Sequence, residues 1–239
     1  MGREMMQREP GKVSIVITNY NRGAYLIECL DSLQRQTYLN KEIIIVDDAS
    51  TDRSVDIVQA WCEGNGVGGT DSVVLVRLPR NVGFAGAITA GFFLARGEYI
   101  AVQAADGFSQ PLRLEKQAAF LQSQPDIALV GTNYAAFEEE AEKEKRQYVP
   151  VKWLRYGEEI SSVYQNGGHC VCFGTIMFRG DLFDRIGGLS RRIAGTGEYE
   201  FIIKFLHHKA GVANIPEILY YYRLHANQRS LAYYVRKSP

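Results

Sequence analysis

The feature that most limits how this chain can fold is Ile43-Ile44-Ile45-Val46, an unbroken run of β-branched residues that stops at Asp47-Asp48. Branching at Cβ stiffens these side chains in a way that suits a strand, and a run without polar alternation reads as a strand buried on both faces. Helices above and below a sheet provide that cover. The residues that follow, Asp48, Ser50, Thr51 and Asp52, offer short oxygen side chains for a turn and for the amides of a helix beginning near Arg53. Asp47 and Asp48 then stand at the carboxyl end of the strand, where open α/β sheets keep their ligand crevice. Two turn carboxylates satisfy the same pattern without binding anything, so the weight rests on whether the signal recurs.

It does recur along the first half of the chain. Val13–Ile17 reads as a strand, Thr18–Gly23 as the loop at its carboxyl end, and Tyr25–Gln36 as a helix with Leu26, Ile27, Leu30 and Leu33 on its inner face. Val55, Ile57, Val58 and Trp61 supply the inner face of the next helix. A third strand, Val73–Leu78, leads through Arg80–Gly86 into a helix of small residues reaching Ala95, and such residues let a helix and a ligand approach closely. Gly97–Asp106 reads as a fourth strand ending in a lone carboxylate, Pro111–Gln122 as a helix with proline in its first turn, and Pro125–Gly131 as another strand. Four strand–helix repeats predict a doubly wound, mostly parallel sheet with its crevice along one edge. Gly64–Gly69 follows a helix rather than a strand, so it is read as a flexible connection and not a phosphate loop.

Beyond Gly131 the pattern changes. Glu138–Arg146 is a charge run expected at a solvated hairpin tip or loop. Trp153, Tyr156 and Tyr164 suit either core or a cleft wall. Gly174–Arg179 has strand character, and Asp181–Ile186 suits a short helix closed by Gly187-Gly188. Glu198–His208 reads as a helix with Phe201, Ile202 and Phe205 at core spacing, and Ile218–Arg223 as an aromatic strand before His225. The run Tyr233–Pro239 shows no closing signal, which leaves open that this is the amino-terminal piece of a longer protein.

With 239 residues, 46% hydrophobic and 23% charged, the composition is that of an ordinary globular protein. Lys plus Arg and Asp plus Glu each number 27, so no net charge draws the chain to nucleic acid or anionic lipid. Cys29, Cys62, Cys170 and Cys172 fit neither a disulfide framework nor zinc spacing and are read as reduced thiols of a cytoplasmic protein. Met1–Lys12 lacks the apolar centre of a signal peptide and no stretch reaches membrane-spanning length, so membrane association is expected to be peripheral at most.

Taken together, Val13–Asn21, Cys29–Leu33 with Gln36-Thr37-Tyr38, Glu42–Asp52, Asn81-Val82-Gly83, Gly97–Ile100, Met177-Phe178-Arg179, Ile186-Gly187-Gly188 and Tyr222–His225 resemble the family 2 glycosyltransferases, nucleotide-sugar enzymes of the GT-A fold. The order and spacing of these pieces, from about Lys12 to about Ser230, make the resemblance specific. It implies a single α/β GT-A domain over residues 1–239, with a nucleotide-sugar-binding half at 12–131 and an acceptor-binding half at 132–239. Its implied reaction is inverting transfer of a sugar from a nucleoside diphosphate, UDP being the commonest, to a glycan or lipid-linked acceptor in assembly of a bacterial surface polysaccharide or glycoconjugate. A further domain or a homo-oligomer is compatible with it.

Carried across residue by residue, the resemblance gives Thr18, Asn19, Tyr20 and Asp48 to the nucleoside, with Tyr20 stacking on the base, and adds Asn81 to the donor site. It gives Asp106 and His225 to a divalent ion, Mg²⁺ or Mn²⁺, which neutralises the departing diphosphate through oxygen ligands. It gives the acceptor proton to Glu198, with Glu200 second, at a helix start that favours the ionised carboxylate. Three departures stand out: Ala104 replaces the first acid of the metal motif, Gly107 replaces an acid that often follows it, and Ile88 and Thr89 replace a basic residue and an asparagine. Arg191 and Arg192, in the loop before Gly195, are expected to compensate as lid residues, with Arg80 a further candidate, and Trp153 and His169 are expected in the acceptor cleft. The departures also support a rival reading, a nucleotide-sugar-binding or scaffold module that has lost turnover. A dinucleotide oxidoreductase is excluded, because no Gly-x-Gly-x-x-Gly turn follows the first strand.

Overall fold

In a computed structural model that describes residues 7–65, 73–139, 143–190 and 197–228, the central β-branched run divides its side chains between two cores. Ile43 and Ile45 join one cluster with Leu26, Leu30 and Leu33, while Ile44 and Val46 join another with Ile88, Phe92 and Phe201. The period of a strand explains the division, since successive side chains point to opposite faces. Strand β2 (Lys41–Asp47) therefore needs helices on both sides, and it has them.

The order in the first half is β1 (Glu9–Asn19), α1 (Gly23–Gln34), β2, α2 (Ser54–Gly64), β3 (Val73–Arg77), α3 (Phe84–Leu94) and β4 (Gly97–Ala104). After a two-residue strand β5 (Phe108–Ser109) come α4 (Arg113–Ser123) and β6 (Ile127–Glu138). Helices α1, α2 and α4 cover one face. The other is covered by α3 together with α5 (Glu159–Gln165), α6 (Gly180–Ile186) and α7 (Gly197–His207). Strands β7 (Val149–Pro150), β8 (Met177–Arg179) and β9 (Gly211–Leu224) complete a sheet ordered β3-β2-β1-β4-β8-β6-β9-β5, with β7 beside β6. Strands β3, β2, β1 and β4 are mutually parallel, β8 runs antiparallel between β4 and β6, and β9 is parallel to β6. Among the described residues no helix is long and apolar enough to cross a membrane.

Several sequence expectations need correction. Pro111 lies ahead of α4, where its carbonyl accepts the Thr37 N–H at 3.0 Å instead of opening the helix. The strand read over Gly174–Arg179 begins only at Met177, after a short 3₁₀ turn at Phe173–Thr175. Strand β9 begins seven residues before Ile218 and runs through Pro216, a residue that strands admit only at edges or bulges. Pro216 and Glu217 bulge out of the ladder, because pairing jumps from Thr132↔Ile215 to Asn133↔Ile218. The charge run is a hairpin connection between β6 and β7, but Arg146 is not a solvated member of it: its side chain is 5% exposed and bonds Glu28 of α1 at 2.7 Å. Residues 66–69 of the glycine-rich connection lie outside the described residues.

The small residues of α3 act as expected at Gly91, where an added Cβ would overlap Val16 and meet Val46 at 3.2 Å. The departures at Ile88 and Thr89 have structural uses. Ile88 is wholly buried in the core, and the Thr89 hydroxyl accepts the Leu189 N–H at 3.0 Å, tying α3 to the segment before α7.

Candidate active site

The carboxyl ends of β2, β1 and β4 lie side by side, with Asn19 opposite Asp47 and Thr18 opposite both Val46 and Ala104. Parallel strands end in loops on one edge, so the loops after β1, β2 and β4 meet there. Asn19, 2% exposed, donates its amide to Asp47 at 2.8 Å and to the Ser50 hydroxyl at 2.9 Å. Asn21 accepts the Thr51 N–H at 2.8 Å, and the Asp52 carboxylate accepts the first amides of two helices, Gly23 of α1 and Ser54 of α2, both at 3.0 Å. Burial opposes ionisation of Asp52, but the Ser54 hydroxyl and these two amides outweigh it and hold its pKa below the usual aspartate value. Tyr20 projects from this rigid base and is 47% exposed.

Asp48, expected at a nucleoside, is 3% exposed and turns its two oxygens to the N–H groups of Val82 (2.7 Å) and Gly83 (2.9 Å). Asn81 donates to the Asp48 carbonyl at 3.2 Å, so the pair latches the loop before α3 to the end of β2. Beside it an open groove of about 450 Å³ is lined by Asp47, Ala49, Ser50, Arg77, Leu78 and Pro79. Ala49 sits there in the left-handed region at φ 61°. An L side chain costs about 1–2 kcal/mol in that region. Glycine pays no such penalty, so Ala49→Gly is expected to raise stability by about 1 kcal/mol despite the entropy it adds to the unfolded chain. A denaturant titration in which the variant unfolds earlier than the parent contradicts this.

At the end of β4 the chain turns so that Asp106 meets His225, 119 residues away, with Oδ2 at 3.1 Å from Nε2. The His225 side chain is 1% exposed, and its ring lies 4.8 Å from that of Tyr25. Arg22, from the loop after β1, brings its Nε to 3.7 Å from the same Asp106 oxygen and donates to the Asn227 carbonyl at 2.6 Å. Arg223 donates to the Asp106 carbonyl at 3.1 Å and pairs with Glu28, which also holds Arg146. Sequence reasoning passed over Arg22. The available signal was its place in the loop Thr18–Gly23, already assigned to a strand's carboxyl end.

Gly107, beside Asp106, cannot carry an acid in this fold, since a Cβ there would overlap the Tyr220 hydroxyl. Tyr220 is fully buried, and burial together with the Asp106 charge drives its hydroxyl pKa far above the ordinary value. The neighbouring Cys172 thiol is pushed up to about 12, chiefly by burial, with the Glu198 carboxylate adding to the rise. The Asp106 charge thus acts on Tyr220 and the Glu198 charge on Cys172, two members of one buried cluster completed by Tyr134 and Leu154. Glu198 stands in the first turn of α7, whose Tyr199 stacks at 5.5 Å on Tyr164. His169 accepts or donates a 2.7 Å bond with the Tyr164 hydroxyl, and its ring lies 5.7 Å from Trp153. Trp153, 38% exposed, donates its indole N–H to Tyr134 at 2.9 Å. An aromatic wall therefore adjoins Glu198. Arg191, Arg192, Gly195 and Thr196 lie outside the described residues, and Arg80 is exposed.

Whether these groups suit a divalent ion is a matter of donor count. Among the described residues no group of three His, Cys, Asp or Glu side chains is placed to hold a metal. Asp106 and His225 supply an oxygen and a nitrogen that already face each other. Ions such as Mg²⁺ bind through one or two carboxylates with substrate phosphates and water completing the shell, so the Asp106 carboxylate meets the minimum for an ion of this kind, with the His225 nitrogen beside it.

The open, mostly parallel sheet wound on both faces, with loops converging at the strands' carboxyl ends, matches the GT-A fold. Solved structures agree. The chain superposes on Staphylococcus aureus TarS residues 1–349 in complex with UDP with a TM-score of 0.70 at 18% identity, covering 89% of this chain and 60% of that one. It superposes on a mannosyltransferase from Pyrobaculum calidifontis in complex with GDP-Man and Mn²⁺ with a TM-score of 0.66 at 18% identity, covering 95% of this chain and 65% of that one. The chain thus spans less than two thirds of either. The family model for glycosyl transferase family 2 matches residues 14–187, and EpsE of Bacillus subtilis (strain 168) is 30% identical over 215 residues, covering 87% of this chain and 72% of EpsE. The chain belongs to glycosyl transferase family 2, a family of sugar-transferring enzymes.

Proposed function

We propose that this domain transfers a sugar, with inversion, from a nucleoside diphosphate to a hydroxyl of a glycan or lipid-linked acceptor, in assembly of a surface polysaccharide or glycoconjugate. The observation that carries the reading is the meeting of Asp106, His225 and Arg22, from three distant segments, at the carboxyl ends of β1 and β4. UDP is the first candidate nucleotide, and residues 12–131 form the donor-binding half. Tyr20 stacks on the base beside Thr18 and Asn19, while Asp48 and Asn81 serve the nucleoside by fixing the loop before α3. Asp106 and His225 would hold Mg²⁺ or Mn²⁺, which when bound neutralises charge on the departing diphosphate. Arg22 adds positive charge to the same spot, and Arg191 and Arg192 remain assigned to a lid over it.

Residues 132–239 form the acceptor-binding half. Trp153, His169 and Tyr199 present ring faces suited to the apolar faces of sugars. The acceptor oxygen attacks the anomeric carbon from the side opposite the diphosphate. As the new C–O bond forms and the C–O bond to the diphosphate breaks, Glu198 takes the hydroxyl proton.

The test is calorimetric titration with nucleoside diphosphates, with and without Mn²⁺, followed by donor hydrolysis. Chelation is expected to stop hydrolysis, added Mn²⁺ to restore it, and Asp106→Ala to leave only background. Binding without any turnover would instead favour a scaffold module, the reading to which the missing acid at Ala104 points.

A further inference from the structure

Arg113 is 0% exposed, yet no carboxylate pairs with it among the described residues. An arginine placed so deep carries a large desolvation cost, and burial lowers its pKa to about 10, which still leaves it charged at neutral pH. Its guanidinium lies 5.5 Å from the centre of the Tyr220 ring, and all its hydrogen-bond partners are neutral acceptors. Nε donates to Gln117 Oε1 at 3.0 Å, Nη2 to the carbonyls of Val102 at 2.7 Å and Ile176 at 3.5 Å, and Nη1 to Ser109 Oγ and Gln103 Oε1, both at 3.0 Å. The Ser109 hydroxyl donates to Gln103 Oε1 as well, at 2.6 Å. Two donors on one amide oxygen settle which way the Gln103 amide faces.

Its nitrogen then points the other way. Gln103 Nε2 donates at 3.0 Å to the carbonyl of Ala104 and at 3.0 Å to that of Gly107. These are the two ends of the turn whose interior holds Asp106, and Gly107 N–H closes the same turn onto Ala104 O at 3.3 Å. Tyr220 packs against Gly107 from behind, so the turn has no room to relax in that direction.

We propose that Gln103 is a positioning residue, an amide clamp that holds the turn bearing Asp106 at the end of β4 and that the buried cation of Arg113 keeps correctly oriented. The inference rests on the role proposed above for Asp106. It accounts for a costly buried charge that packing alone does not require, and for a polar side chain, 1% exposed, one residue before the reduced acidic motif.

The deciding variant is Gln103→Glu. It retains the acceptor toward Ser109 and gives Arg113 an ion partner, so a merely structural network predicts a stable, active protein. It also replaces the clamping N–H groups with an oxygen that faces two carbonyl oxygens, which opens the turn. The expected result is an unchanged or raised melting temperature and a kcat for donor hydrolysis lowered on the order of a hundredfold, the cost of a misplacement near 1 Å. The Mn²⁺ concentration giving half-maximal rate rises, and the KM for donor changes less than kcat. Parent-like kinetics in Gln103→Glu, with Asp106→Ala inactive, overturns the clamp while leaving the Asp106 reading intact. Parent-like kinetics in Asp106→Ala overturns both. Should Gln103→Glu fail to fold, Gln103→Met decides, since it keeps the side chain's length and removes both clamping N–H bonds: a lowered kcat measured well below the melting range supports the clamp, and a parent kcat overturns it.

Discussion

Glu198→Gln is expected to lower kcat about 100- to 10,000-fold, the usual contribution of a positioned general base. Glutamine keeps nearly the same shape, so the fold of α7 and the aromatic wall beside it are retained, and only the capacity to accept the hydroxyl proton disappears. The negative charge in the first turn also complements the helix dipole, a loss of no more than about 1 kcal/mol. Affinity for the nucleoside diphosphate is expected to stay near the parent value, because the residues proposed for the nucleoside and the ion, Tyr20, Asp48, Asp106 and His225, lie outside α7. Single-turnover kinetics beside calorimetric binding checks both parts. A variant that turns over at the parent rate removes Glu198 from the chemistry and moves attention to Glu200, its neighbour in the same first turn.

Phe178→Ala is expected to destabilise the domain by about 3–5 kcal/mol. Phe178 is wholly buried on β8, and its ring meets those of Phe92 at 5.1 Å, Phe201 at 5.3 Å, Phe205 at 5.7 Å and Phe183 at 6.3 Å. These come from α3, α7 and α6, so the cavity sits where three helices join one strand and cannot close by moving any single one. The melting midpoint should fall on the order of 10 °C in a calorimetric scan. Because Phe201 and Phe205 belong to the helix that carries Glu198 in its first turn, kcat should drop as well, well below the melting range. A loss under 1 kcal/mol would mean that this aromatic cluster is not the hinge of the second core.

The two predictions differ in how far the sequence could anticipate them. The β-branched run before Asp47 and the helical spacing of Leu26, Leu30 and Leu33 dictated strands and helices and which faces are covered, since burial follows local periodicity. The lone Asp106 at the end of an apolar strand marked a strand-end carboxylate, and the family resemblance joined it to His225. Nothing local told that Asp48 would spend its oxygens on the amides of Val82 and Gly83, or that Arg146, in a charge run, would be captured by Glu28. The aromatic run marked only Ile218–Arg223 of β9, and the strand's continuation back through Pro216 depends on a bulge that no local pattern announces.

What the sequence by itself determined was therefore the layered architecture and the strand ends that carry polar groups. What only the tertiary structure decided was the partner of each polar side chain: Arg22 on Asp106, Gln103 on the turn between Ala104 and Gly107, Arg113 on Gln103. Apolar side chains need only reach the interior, a requirement that periodicity satisfies. A buried donor or acceptor needs one particular counterpart at about 3 Å. That counterpart is supplied by whichever distant segment the fold brings alongside.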